Sequence, residues 1–320
     1  MRVTASRLLY SNSWLIGAIA YTGVDSCIGS GANRGVAQGM RFLTYNTGLL
    51  DLRLFGRSLI KPADFIEERF SRLAGALLEL DADIITLQEV YQHRHKRALS
   101  EALASVYPHV SMSPLRGPSV VPASLMTFSK WPMEASKFAR FKSMPIAERL
   151  IDNKGFMLST VIGPQGRITI ANVHTTAGGT KHPEDPATDM IRARQITELL
   201  EQAESTSPVI LAGDFNCGTV SVRNYRQLLD AGYSDVWAEL HPGINGWTWD
   251  PESILNKGGT HTEWGCPAQR IDLVLMNARA REQFQPASCE VIGQALYVPT
   301  PSGRVVTLSD HYGILATLDS

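Results

Sequence analysis

Asp214 and Asn216 stand one residue apart in Gly213-Asp214-Phe215-Asn216, directly after the apolar stretch that begins at Pro208. That stretch has the length and β-branched content of a buried strand. Two oxygen-bearing side chains on the tight exit from such a strand face one shared space. The pair suits a hard cation and a phosphate oxygen. Gly-Asp-x-Asn is also good turn chemistry, so the motif by itself leaves a plain strand-closing turn open. Groups of the same kind recur elsewhere at the ends of mostly apolar stretches: Asn46, Glu89, His174, Asp272, and the pair Asp310 and His311. Carboxylates and imidazoles at the mouths of buried strands are costly unless they pair or bind something. One such end is a turn; six on separate strands point to a single site.

The elements that must position these groups alternate between strand and helix from Met40 onward. Strands are predicted over 40–46, 84–90, 125–129, 133–141, 156–162, 167–174, 208–213, 270–276, 289–292 and 313–318. Pro164-Gln165-Gly166 turns one of them back on the next as a hairpin. Ile66, Phe70, Leu73, Leu77 and Leu80 recur at helical spacing over 65–80, after the start signals Pro62 and Asp64. A polar-faced helix is predicted over 93–105, and another over 190–203 with Ile196, Leu199, Leu200 and Ala203 on its apolar face. Many strands with few surface helices predict two packed sheets with helices outside.

Composition narrows the classes. With 320 residues and a formal net charge of −1, the chain has ample length for a core and no global electrostatic case for nucleic acid or an anionic membrane. Cys27, Cys217, Cys266 and Cys289 show no CxxC spacing and read as buried or free thiols. Residues 1–39 differ from the rest: Arg2 and Arg7, a short apolar run over 14–21, then a Gly/Ser/Asn-rich stretch to Gly39. The run is too short to cross a bilayer, and its outline fits a secretory signal poorly because Tyr21, Asp25 and Cys27 crowd the cleavage region. A poorly ordered extension over 1–39 and one catalytic domain over 40–320 are expected, as a monomer, cytoplasmic rather than secreted.

Thr44-Tyr45-Asn46, Leu87-Gln88-Glu89-Val90, Asn172-Val173-His174, Gly213-Asp214-Phe215-Asn216, Arg270-Ile271-Asp272 and Ser309-Asp310-His311 follow one another in order. Together they resemble the endonuclease/exonuclease/phosphatase superfamily, over residues 40–320. The resemblance implies a four-layer α/β sandwich, two packed and mostly antiparallel sheets flanked by helices, and magnesium-dependent cleavage of phosphate esters, with Mn²⁺ as the alternative ion. It implies Glu89, Asn46 and Asp310 on the metal side. Asp214 would orient or deprotonate the attacking water, Asn216 hold the phosphate, and His311 act as the catalytic imidazole with Asp272 fixing its tautomer. His174 would protonate the leaving oxygen.

The substrate is less constrained. Lys154-Gly155 resembles an element of the sphingomyelinase branch that sets a cation near the phosphate. Thr248-Trp249-Asp250, Asn256 and Arg270 resemble substrate-lining residues of that branch and of the tyrosyl-DNA phosphodiesterase type. Trp237, Trp247, Trp249 and Trp264 crowd one region, where aromatics could stack on bases or dip into a lipid surface. Arg116, Lys130, Lys137, Arg140 and Lys142 could form a local phosphate track. Neutral overall charge favours a phospholipid such as sphingomyelin over DNA. A Mg-dependent nuclease or DNA-repair phosphodiesterase is the alternative, and a non-catalytic binding module a third reading that the full set of chemical groups argues against. The other histidines, His93, His95, His109, His182, His241 and His261, match no motif and are expected at the surface or in loops.

Overall fold

A computed structural model describes residues 39–54, 57–177, 186–203, 206–218, 222–257 and 265–320. The N-terminal extension expected over 1–39 therefore lies, but for Gly39, outside the described residues, as do Cys27, His182, His261 and Trp264. In chain order come β1 (Met40–Asn46), the hairpin β2 (Leu52–Leu54) and β3 (Arg57–Ile60), α1 (Ile66–Glu79), β4 (Ile84–Gln88), α2 (His93–Leu103), β5 (His109–Met112) and β6 (Met126–Ser129). Next are β7 (Met133–Arg140), α3 (Ile146–Ile151), β8 (Gly155–Gly163), β9 (Gly166–His174), α4 (Pro186–Gln202), β10 (Val209–Asp214) and α5 (Val222–Asp230). The chain closes with β11 (Ser234–Asp235), α6 (Val236–Leu240), β12 (Asp272–Met276), α7 (Ala278–Gln283), β13 (Gln285–Ile292), β14 (Tyr297–Pro299), β15 (Val305–Thr307) and β16 (Gly313–Asp319).

Two six-stranded sheets carry the fold, ordered β13-β16-β1-β4-β6-β5 and β11-β12-β10-β9-β8-β7. Each has one parallel pair at its centre, β1 with β4 and β9 with β10, and antiparallel neighbours on both sides. Between the sheets lie Phe42, Ile84, Ile170, Ile210, Val274 and Ile314, all essentially sealed from solvent. Burying one such side chain contributes about 1.5–3 kcal/mol. Leu73, Leu77 and Leu99 of α1 and α2 cover the outer face of the first sheet, and Ile196, Leu199 and Leu228 of α4 and α5 cover the second. The order helix, sheet, sheet, helix is the four-layer α/β sandwich.

The sheets are also pinned to each other by polar groups. Gln88 Nε2 donates to Asn172 Oδ1 at 2.8 Å, while Asn172 Nδ2 donates to the Leu87 and Met126 carbonyls at 3.1 and 2.8 Å. These bonds cross from β4 to β9 just behind the strand ends that carry Glu89 and His174, and fix their relative height. Gly213 has the same role within one sheet. Its φ is +139°, and a Cβ there would meet the Val173 carbonyl oxygen at 2.1 Å, so only glycine lets β10 lie against β9 at this point.

Several expectations are corrected. The helix after β4 is not simply polar-faced: His95 and Lys96 are buried. His95 stacks on Phe70 with ring centroids 4.1 Å apart, and burial pushes its pKa down to about 4, so it is a neutral core side chain rather than a surface one. Lys96 Nζ donates to the Ser113 and Ala123 carbonyls at 3.0 and 2.6 Å and to Ser113 Oγ at 3.0 Å. The basic run does not make a continuous track. Lys130 pairs with Asp81 and Asp83, and Arg140 is spent on Ser119 Oγ and on the Arg149 and Asp152 carbonyls. Cys217, Cys266 and Cys289 are free and buried, as the spacing predicts. No described helix is long and apolar enough to cross a membrane.

Candidate active site

Strand register brings the chemistry together. In the second sheet Asp272 faces Asp214, Asp214 faces His174, and His174 faces Gly155, whose neighbour is Lys154. In the first, Asn46 ends β1 beside Gln88, Glu89 follows on the exit from β4, and His311 lies two residues before β16. Both sets lie at one edge of the sandwich and they touch. Asn46 Nδ2 donates to Glu89 Oε1 at 3.2 Å and to Asp214 Oδ2 at 2.9 Å, one residue bridging carboxylates from the two sheets. Ligand atoms of Glu89, His174 and Asp214 lie within 4.8 Å of one another, as do those of Asp214, Asp272 and His311. Asp214 belongs to both groups.

Two of the four non-glycine residues with positive φ among the described residues lie here. Glu89 has φ +61° and Asn216 φ +46°, a left-handed conformation that is unusual for a glutamate and persists only where the surroundings impose it. Asn216 donates its backbone N–H to Asp214 Oδ1 at 2.9 Å and its Nδ2 to the Thr175 carbonyl at 3.1 Å, which settles the position of the Asp214 carboxylate.

Electrostatics separates the two histidines. His311 Nδ1 donates to Asp272 Oδ2 at 2.9 Å. Burial opposes the imidazolium, but Asp272, Asp214 and Asp310 outweigh it and push His311 up to about 10. It is therefore cationic at neutral pH, with Nε2–H left to donate into the site. His174 is the reverse. Burial, then the charges of Lys154 and His311, hold it well below the usual histidine range. Lys154 is buried, and although burial works against its charge, Glu148, Asp152, Asp214 and Glu89 keep it raised and protonated. Its Nζ donates to His174 Nε2 at 3.0 Å and to the Thr175 carbonyl at 2.9 Å. The neutral His174 thus accepts through Nε2, and its 3.8 and 3.5 Å approaches to Glu89 and Asp214 are not ion pairs. With Lys154 donating to Nε2, His174 would act as the expected proton donor only once that nitrogen is protonated.

The donor set fits a hard divalent cation. Glu89 and Asp214 present oxygens to one space, and Asp272 Oδ1 is buried with no hydrogen-bond partner. Burial, reinforced by Asp310, pushes Glu89 up to about 7 against the pull of His311, Lys154 and Asn46. A carboxyl that must ionise to bind a cation gives a sign for pH. Below about 7 a proton competes at Glu89, so Mg²⁺ affinity is expected to fall with decreasing pH, by about tenfold per unit at most for one proton. Calorimetric Mg²⁺ titrations at about pH 6 and about pH 8 would measure it, and equal affinities would remove Glu89 from the ligand set.

The remaining sequence candidates lie around this cluster. Asp310 stands outside both groups of ligand atoms; its Oδ1 accepts from Ser309 Oγ at 3.1 Å and leaves no room for a Cβ at Gly48, which has φ +58°. Asn256 Nδ2 donates to the Asp250 and Asp310 carbonyls, fastening the 250–256 turn to the site loop. Trp249 is nine-tenths buried and pairs by backbone with Gln269 and His311. The Arg270 guanidinium binds Asp235 Oδ2 at 2.7 Å and lies over the Tyr225 ring. Trp237 is buried against His241, which leaves Trp247 as the exposed tryptophan of its group among the described residues.

Arg69 was not foreseen. It is fully buried on α1 and donates Nε to the Asp64 carbonyl, one terminal nitrogen to the Thr47 and Leu308 carbonyls, and the other to the Gly48 carbonyl at 2.6 Å. One guanidinium thereby ties the loop after Asn46 to the loop before His311. The signal was present, since Arg69 sits three residues after Ile66, on the face that turns inward.

The family model for the endonuclease/exonuclease/phosphatase family matches residues 43–311. The chain belongs to that family. Its members are phosphoric ester hydrolases. A search of the curated proteins finds no match. Among solved structures the chain is similar to sphingomyelinase C from Streptomyces griseocarneus, at 21% identity and TM-score 0.65, over 87% of this chain and 99% of that one. It is similar to beta toxin from Staphylococcus aureus with bound magnesium ions, at 17% identity and TM-score 0.67, over 87% and 99%. It is also similar to D. rerio TDP2 complexed with single strand DNA product, at 20% identity and TM-score 0.66, over 88% and 99%.

Proposed function

We propose that this family member is a divalent-metal-dependent phosphodiesterase acting on a phospholipid head group of the sphingomyelin kind. The observation that carries the reaction class is the meeting of Glu89, Asp214, Asp272 and His311 across two sheets around a shared oxygen-rich space. Glu89 and Asp214 would hold the ion, with the Asn46 amide steadying both carboxylates. A bound Mg²⁺ neutralises charge on a phosphate oxygen and makes phosphorus a better electrophile. Asp214 aligns a water and takes its proton as the water oxygen bonds to phosphorus. His311 donates Nε2–H to the leaving oxygen as its bond to phosphorus breaks, and Asp272 stabilises the imidazolium until then. Lys154 sets a buried cation beside the phosphate, and the Asn216 amide edge closes that side. Turnover of bis-p-nitrophenyl phosphate is expected to need Mg²⁺ or Mn²⁺ and to stop with EDTA; full activity in metal-free protein would end this reading.

The lipid assignment is supported by what surrounds the cluster. Trp247 and Ile254 are exposed on the segment that Asn256 and Trp249 attach to Asp310 and His311. On the other side Ile146 and Leu150 are exposed on α3, whose Glu148 lies 3.7 Å from Lys154 Nζ. Val120, also exposed, is held to that helix through its N–H on the Leu150 carbonyl. Apolar tips on both flanks of a charged site suit work at a lipid interface. Trp247→Ala is expected to lower turnover of sphingomyelin vesicles several-fold and leave the soluble diester unchanged. Efficient plasmid nicking with steep salt sensitivity, and no action on vesicles, would transfer the assignment to a nuclease.

A further inference from the structure

The outer surface of the second sheet carries a groove that the chemistry above does not use. It lies between α4 and α5, has a volume of about 670 Å³, and is lined by Met190, Arg194, Val222, Arg223, Arg226 and Asp230 among others. None of the three arginines is ion-paired among the described residues; Arg194 reaches only the Met190 sulfur, at 3.6 Å. By contrast Arg192, one turn away on α4, is tied to Asp189. Three unpaired guanidinia in one groove of a chain with net charge −1 form a local positive site for an anion.

We propose that this groove holds the phosphate group of an anionic phospholipid next to the one being cleaved, a second, non-catalytic lipid contact that rests on the lipid reading of the active site. Three observations favour a lipid over a nucleic-acid strand. Among the described residues no aromatic side chain lines the groove, so base stacking is not on offer there. Met190 and Val222 are half-exposed beside the arginines, which suits an apolar body attached to the anion. The groove is also tethered close to the site. Val222 opens α5 six residues after Asn216, and so lies within about 20 Å of it. Arginines pair with phosphate in a forked geometry, and the first turn of α5 adds the positive end of its dipole.

The test uses the double variant Arg223→Gln/Arg226→Gln in the full chain, with Arg194→Gln added in a third variant. Exposed, unpaired arginines can be changed with little expected effect on melting temperature or on bis-p-nitrophenyl phosphate turnover. Binding is read by co-sedimentation with vesicles of phosphatidylcholine alone and of phosphatidylcholine with phosphatidylglycerol, at low and moderate salt. An arginine near an anionic surface contributes roughly fivefold in binding, so the double variant is expected to bind the mixed vesicles about twentyfold less tightly and the neutral vesicles equally well. Unchanged binding to mixed vesicles overturns the proposal, even while wild type cleaves sphingomyelin and the catalytic reading stands. If wild type cleaves no vesicle lipid, the lipid reading itself fails. If the double variant instead loses affinity for a fluorescent single-stranded oligonucleotide while its vesicle binding is intact, the groove is a nucleic-acid track and the lipid proposal is overturned.

Discussion

Asp214→Asn is expected to lower kcat by about 10² or more in protein that still folds, and His311→Ala to do the same. The amide of the variant keeps the shape and one of the two acceptor oxygens, so either the Asn46 side chain or the Asn216 N–H loses its partner, while the proton acceptor is lost. For His311 the reasoning is electrostatic. Removing the imidazolium leaves Asp272 buried, with one oxygen already unpartnered and the other newly so. Asp272 is then expected to take up a proton, because its own surroundings already raise it to about 6. A second variant, His311→Gln, restores a donor to Asp272 without a titrating group. Steady-state kinetics on a soluble diester, beside thermal melts, separates the cases: kcat within a factor of two or three of wild type at unchanged stability would remove either residue from the chemistry.

Arg69→Met is expected to be the most damaging change outside the site itself. It fills much the same volume but leaves the Thr47, Gly48 and Leu308 carbonyls without their shared donor. Unsatisfied buried carbonyls cost about 1–3 kcal/mol each, so a loss of about 3 kcal/mol or more is expected, read as a drop of about 6 °C or more in melting temperature. Activity should fall at temperatures where the variant is still folded, because the loops that present Asn46 and His311 lose their common anchor. Arg69→Lys tests the geometry: it keeps the charge but cannot reach several carbonyls at once, so it should recover little. A melt within a degree or two of wild type for Arg69→Met would show that the loops hold one another without it.

Much of the site was legible because metal and acid–base chemistry leaves few choices of residue. Asn46, Glu89, His174, Asp214, Asp272 and His311 each begin, end or adjoin a strand whose apolar residues could be read directly. Charge states were not legible. Nothing local in Asn172-Val173-His174 says that a lysine twenty residues earlier points at the ring, and it is Lys154 that makes His174 an acceptor. The ion pair of Arg270 was not legible for a related reason: its partner Asp235 belongs to a short strand and helix with too little apolar periodicity to be predicted. The hairpin β14–β15 and helix α3 escaped for the same lack of pattern; no residue of α3 is buried, so it has no apolar stripe to read. Strand and helix ends slipped where capping geometry governs them, as when α4 begins at Pro186, ahead of its first apolar residue.

The pairing of β1 with β16 also has a temporal meaning. Met40 lies opposite Leu318, and Ser309 Oγ donates to the Asn46 carbonyl at 2.7 Å, so the first strand of the described body is completed by the last. As the chain is synthesised, β1 can join β4 early across α1, but its other side waits for nearly three hundred residues. Until then the growing chain exposes an unpaired strand edge with Phe42 and Tyr45 on it, a surface that invites association with other chains. The imidazole of His311 comes with the same closing segment. Protection of that edge and arrival of the His311 imidazole are therefore a single late event, and a polypeptide stopped short of it is sticky and lacks the group proposed to carry the proton.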